Sequence, residues 1–211
     1  MQVNITNLRR ELGPQVDQVV YPKIRAQIES QFQTAKNQLI KSFEEAGPSK
    51  ELDALANTDR EGRSEYVSQY TQGHGNLYAL LGFTDDRNPI EEVKAYLEQG
   101  VQIRSITRGG FNQNGDYVVT GKIETPTVKE INEESQLDWV SRGWIDALTN
   151  GFRGLPNFLF GMFADKTYSR SGAGIEVKNR VRSEGFKPFS GNYLSEFLER
   201  FKTKIRTGKT K

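Results

Sequence analysis

The chain contains no cysteine and a single histidine, His74. Disulfides, thiolate metal sites and cysteine nucleophiles are therefore excluded. Histidine-based metal clusters and Ser-His-Asp triads lack their raw material. No stretch approaches the ~20 apolar residues of a membrane-crossing helix. The first residues, MQVNITNLRRELG, lack the apolar segment of a signal peptide, so the chain is expected to be made in the cytoplasm and kept there or packaged from there. Hydrophobic residues make up only 35% and charged residues 27%, which leaves a large polar surface and segments expected to order only against a partner.

What apolar mass there is comes largely from twelve Phe, eight Tyr and two Trp. A length of 211 residues fits one domain with an arm and an insertion, and is enough to bury a core. The net charge of +2 is unevenly placed: residues 166–211 hold twelve Lys and Arg against four Glu, and residues 1–165 hold seventeen against twenty-three Asp and Glu. That polarity suits like subunits packing basic face to acidic face, or a basic surface near nucleic acid.

Residues 1–18 are polar and interrupted by Gly13-Pro14, which reads as an extended N-terminal arm or a frayed terminus. A single domain is expected over 19–206, with a polar insertion at 48–76, a hairpin at 101–126 and a basic tail at 207–211. Ile24, Ile28, Phe32, Ala35, Leu39, Phe43 and Ala46 recur at three- and four-residue steps, predicting a long helix over 22–46 that opens at Pro22 and stops at Gly47-Pro48. Leu77–Phe83 reads as a short buried strand. Asn88 and Pro89 open a second helix that stops at Gly100. Val101–Thr107 and Asp116–Pro126 read as the two arms of the hairpin. Ser135 is expected to cap a helix over Leu137–Thr149. Ile175–Val181 alternates as a strand, and Ser190–Arg206 is an amphipathic helix. The predicted class is α+β: an antiparallel sheet covered by helices, with a long N-terminal helix and extended arms and loops.

No constellation of residues looks catalytic. Gly172-Ala173-Gly174 precedes a strand, whereas phosphate-binding glycines follow one. The adjacent carboxylates Asp85-Asp86, Glu91-Glu92 and Glu133-Glu134 do not face each other on a helix. An enzyme would need carboxylate or lysine chemistry without help from a histidine network, and no cofactor or metal site is expected. Two surfaces stand out instead. The aromatic run Trp139, Trp144, Phe152, Phe158 and Phe160 exceeds what one amphipathic element needs, and reads as core, assembly interface or both. Lys178, Arg180, Arg182 and Lys187 form a candidate basic face, either a solvated surface or a contact for phosphate or an acidic partner.

Three segments carry a resemblance: GNLYALLGF at Gly75–Phe83 followed by NPIEEV, the Trp144–Phe163 run, and SRSGAGIEVKNRVRSEGFKPFSGNYLSEFLERF from Ser169. Together they cover a little under half the chain, and none is a chemically specific motif. With them the sequence resembles the tail-completion or neck proteins of tailed bacteriophages, which join the head connector to the tail. The resemblance implies a non-enzymatic virion protein, a homo-oligomeric ring expected to be a hexamer, touching connector or portal-adaptor proteins on one side and tail terminator or tube proteins on the other. Genomic DNA in the channel would be a nonspecific contact, and no membrane is involved. Two alternatives remain open on the sequence: a tail terminator capping the tube, and a nonspecific nucleic-acid-binding protein built on the basic third.

Overall fold

The computed structural model describes residues 5–57, 76–83, 87–112, 116–137, 140–150, 156–159, 175–180 and 193–207. They form an α+β fold of helices α1 (Ile5–Glu44), α2 (Gly47–Asn57), α3 (Leu77–Leu81), α4 (Pro89–Gly100), α5 (Val128–Glu134), α6 (Trp144–Asn150) and α7 (Tyr193–Thr207). The strands are β1 (Gln102–Phe111), β2 (Tyr117–Glu124), β3 (Gln136–Leu137), β4 (Val140–Gly143), β5 (Pro156–Leu159) and β6 (Ile175–Arg180). They pair as three separate antiparallel ribbons, β1–β2, β3–β4 and β5–β6, rather than as one sheet.

The core sits where the C-terminal half of α1 meets α7, α4, α2, α3 and α6. Phe32, Ala35, Leu39 and Phe43 of α1 are buried against Leu194, Leu198 and Phe201 of α7. The two helices run antiparallel, since Phe32 meets Phe201 edge-on and Phe43 meets Tyr193 at a tilt. Trp144, Phe83, Tyr78 and Tyr193 form an aromatic chain through the centre. Among the described residues no helix is long and apolar enough to cross a membrane.

Local chemistry explains several boundaries. The Asn88 side chain accepts from the backbone N–H groups of Ile90 and Glu91, and Pro89 takes the first helical position of α4. Thr127 and Glu130 form a capping box on α5: each side chain accepts from the other's backbone N–H. The Glu130 carboxyl is held below its ordinary value by the Thr127 backbone N–H and then by its hydroxyl. In the hairpin, Gly110 has φ +69°, a left-handed conformation that glycine supplies without strain, at one of two register shifts.

Four sequence expectations are corrected. The long helix begins at Ile5 rather than Pro22, so residues 5–18 are helical and not extended, with Pro14 and Pro22 inside the helix. An internal proline costs ~3 kcal/mol or more in isolation; here the hairpin grips α1 at Asp17 and Tyr21, between the two prolines. The first part of the 48–76 insertion is helix α2, which buries Leu52 and Leu55. Leu77–Leu81 is a helix, because an unbroken apolar run carries no period to separate strand from buried helix. Ser135 is the C-terminal cap of α5 rather than an N-cap, and the chain makes the β3–β4 ribbon before α6 starts at Trp144.

Candidate assembly surfaces

A helix of 40 residues is about 60 Å long at 1.5 Å per residue. A compact globule of this chain length is only about 43 Å across, from its expected radius of gyration. The N-terminal half of α1 therefore extends past the core as a limb. The β1–β2 hairpin lies along it: its base packs on the core through Ile103 and Ile123, and its tip reaches the level of Asp17.

Contacts along the limb are polar and aromatic. The Tyr21 hydroxyl donates to the Ile106 carbonyl at 3.1 Å, and the Tyr117 hydroxyl donates to the Asp17 carboxylate. Arg108 lies 4.4 Å above the Tyr21 ring and 3.9 Å from Asp17. The hydrogen bond to Asp17, and then burial, hold the Tyr117 phenol above its ordinary value. No hairpin side chain among the described residues is fully buried. Among the described residues neither ribbon edge has a neighbouring strand. A lone two-stranded ribbon is marginal in water, so the limb gains from any partner that covers it.

A groove opens where the limb meets the core. Ile28, Phe32 and Ala35 of α1 form one wall and Ile205 of α7 the other, beside Val119, Gly121 and Ile123 of β2, around a hollow of about 210 Å³. It continues along the α1–α7 seam into a second hollow of about 160 Å³, which reaches Gln38, Ser42 and Phe197. Lys204 borders both and Arg200 the second; among the described residues no carboxylate lines either.

An acidic surface lies elsewhere. Glu130, Glu133 and Glu134 of α5 are all exposed. Burial and then the charges of these three carboxylates push the Tyr96 phenol of α4 above its ordinary value. Among the described residues no group of three acidic or histidine side chains could hold a metal ion.

The residues singled out from the sequence fall into three groups. Trp144 is fully buried between Phe83 and Tyr193, so in this chain it is a core side chain and presents no docking surface. Phe158 lies in β5, with its backbone opposite Glu176, and Lys178 and Arg180 lie in β6. Trp139, Phe152, Phe160, Arg182 and Lys187 lie outside the described residues. Sequence reasoning missed Asp17, Tyr21, Arg108 and Tyr117, whose meeting depends on α1 and the hairpin lying side by side. No known protein family, curated protein or solved structure matches the chain.

Proposed function

We propose that the chain is a structural assembly protein, and specifically a ring-forming component of a phage neck that joins the head connector to the tail. The observation that supports this best is the helix–hairpin limb. It extends past the core, has ribbon edges that no described strand covers, and is held by a few polar contacts. In an isolated globular subunit such a limb would expose backbone and apolar surface with no return. In a ring it reaches a neighbour. The charge layout fits the same reading: an acidic surface on α5 and a chain whose last third carries a balance of +8 can meet between copies.

The test is the mass of the purified full chain, alone and with connector or tail-tube proteins. A closed ring of about six copies, alone or on partner addition, is the expected result. Pull-down of connector rather than tube protein would favour the joining role over the terminator role. A strict monomer indifferent to every virion protein would overturn the reading. Charge reversal at Lys178, Arg180 and Arg182 is expected to weaken assembly or DNA retention, and normal virions carrying that change would refute a role for the basic face.

The nucleic-acid alternative has its own signature: tight binding by the isolated chain that falls steeply with salt.

A further inference from the structure

The first half of α1 is a helix that its own sequence does not favour. Gly13-Pro14 and Pro22 divide residues 5–21 into two stretches, each shorter than the ~12–15 residues at which an isolated helix is marginal. Proline has no N–H, so the carbonyls of Arg10 and Gln18 lose the donor four residues on, and the proline rings crowd them. Gly13 and Tyr21, each preceding a proline, are biased towards extended backbone. The first turn holds no acidic residue to complement the helix N-terminus. The helix nevertheless runs unbroken from Ile5 to Glu44.

The hairpin supplies what is missing. Asp17 and Tyr21 lie one turn apart between the two prolines, and both meet the hairpin. Tyr21 is buried there. Arg108 of β1 closes the cluster, 3.9 Å from Asp17 and 4.4 Å above the Tyr21 ring. Tyr117 of β2 donates to Asp17. The ribbon is itself marginal in isolation, so these four side chains join two elements that each need the other. Closer to the core the attachment changes character. From Phe32 onward α1 is packed in the core, and the base of the hairpin packs there through Ile103 and Ile123. Two weak points mark the change: Pro22 in α1, and the register shift between Ile103 and Ser105 in β1.

We propose that residues 5–21 and the hairpin strands beyond Ser105 open and close as one unit against a fixed core, with Asp17, Tyr21, Arg108 and Tyr117 as the latch. Pro22 and the register shift in β1 are its hinges. Latched, α1 is a continuous helix. Released, residues 5–21 lose the contacts that hold them helical, and the hollow bordered by Val119 and Gly121 opens on its β2 side. A partner that binds one of the two states better shifts the balance between them. The device stands whether or not the chain forms a ring.

Peptide-resolved hydrogen exchange on the full chain, compared at one assembled mass, tests it. In the wild type the protected amides of residues 15–21 are expected to exchange together with those of 105–111 and 117–120, and faster than those of α4 and α7. Limb amides as protected as those of α7 would overturn the device. Tyr117→Phe deletes one latch hydroxyl and keeps the ring. It is expected to speed exchange about fivefold in both segments and to leave α4 and α7 unchanged. No change, or a change in the hairpin alone, would overturn the latch. Acceleration that reaches α4 and α7 would overturn the separate unit. Pro22→Ala gives the Gln18 carbonyl its donor back. In that chain Tyr117→Phe is expected to speed the hairpin and leave residues 15–21 protected. If 15–21 still follow the hairpin there, Pro22 is no hinge and the proposal falls.

Discussion

Replacing Trp144 sets two contributions against each other. Its ring lies 6.3 Å from Phe83 and 6.1 Å from Tyr193, centroid to centroid, and is fully buried. Its indole N–H is also buried, with no hydrogen-bond partner among the described residues. Trp144→Ala removes the whole ring at an expected cost of about 3–5 kcal/mol, a large share of a typical stability of about 5–15 kcal/mol. Trp144→Phe keeps a six-membered ring and deletes the pyrrole portion. That loss resembles the smaller core truncations, about 2 kcal/mol. Removing an unsatisfied buried donor returns about 1–3 kcal/mol of desolvation. The net effect of Trp144→Phe then lies between a gain and a loss of about 1 kcal/mol, well below the cost of Ala. Urea unfolding followed by circular dichroism measures both without depending on the lost fluorophore, and an unchanged slope secures the comparison. Equal losses in the two variants would refute the reasoning and assign the N–H a partner, such as a buried water. Losses near zero in both would refute the core placement itself. Trp144→Phe is also expected to leave the assembled mass unchanged, which a side chain at a subunit interface would not.

Three further outcomes are expected. Gly143→Ala would bring a Cβ to 2.5 Å from Asn132 Oδ1 and 2.7 Å from its backbone oxygen, so thermal unfolding should show a loss of about 1–3 kcal/mol. Tyr21→Phe removes the hydroxyl that donates to Ile106, and should cost about 1 kcal/mol, with hairpin amides exchanging faster. At Asp146, burial opposes ionisation, but the hydrogen bonds from Arg142 and Asn150 outweigh it and hold the carboxyl below its ordinary value. A depressed folded-state pKa contributes stability above the unfolded value of about 3.9 and loses it as pH falls through the folded value. The stability gap between wild type and Asp146→Asn should therefore be full at pH 6 and shrink on acidification below about pH 4; a gap independent of pH would refute it.

The parts of the fold legible in the sequence are those fixed by near neighbours. Asn88-Pro89 and Gly100 bound α4 because caps act within one turn. The hairpin is legible from β-branched residues around turn residues, and α7 from its stripe of Leu194, Leu198 and Phe201. The N-terminal half of α1 is not, because proline is a local signal and the hairpin that overrides it arrives 85 positions later, at Ile106. The capping box at Thr127 and Glu130 is present as T-x-x-E, yet Ser135 offers a competing cap eight residues after Thr127.

The antiparallel pairing of α1 and α7 also sets an order of events during synthesis. Ser49 and Tyr193 share a hydrogen bond across 144 positions, and Gln38 meets Lys204 across 166. Helix α1 leaves the ribosome before α7, and Phe32 and Phe43 lack their partners Phe201 and Tyr193 until α7 follows. A product cut short before Tyr193 lacks the α7 side of this core and is a substrate for chaperones and proteases. Quality control is thereby written into the topology: only chains translated through α7 acquire a finished core and enter the pool from which assembly draws.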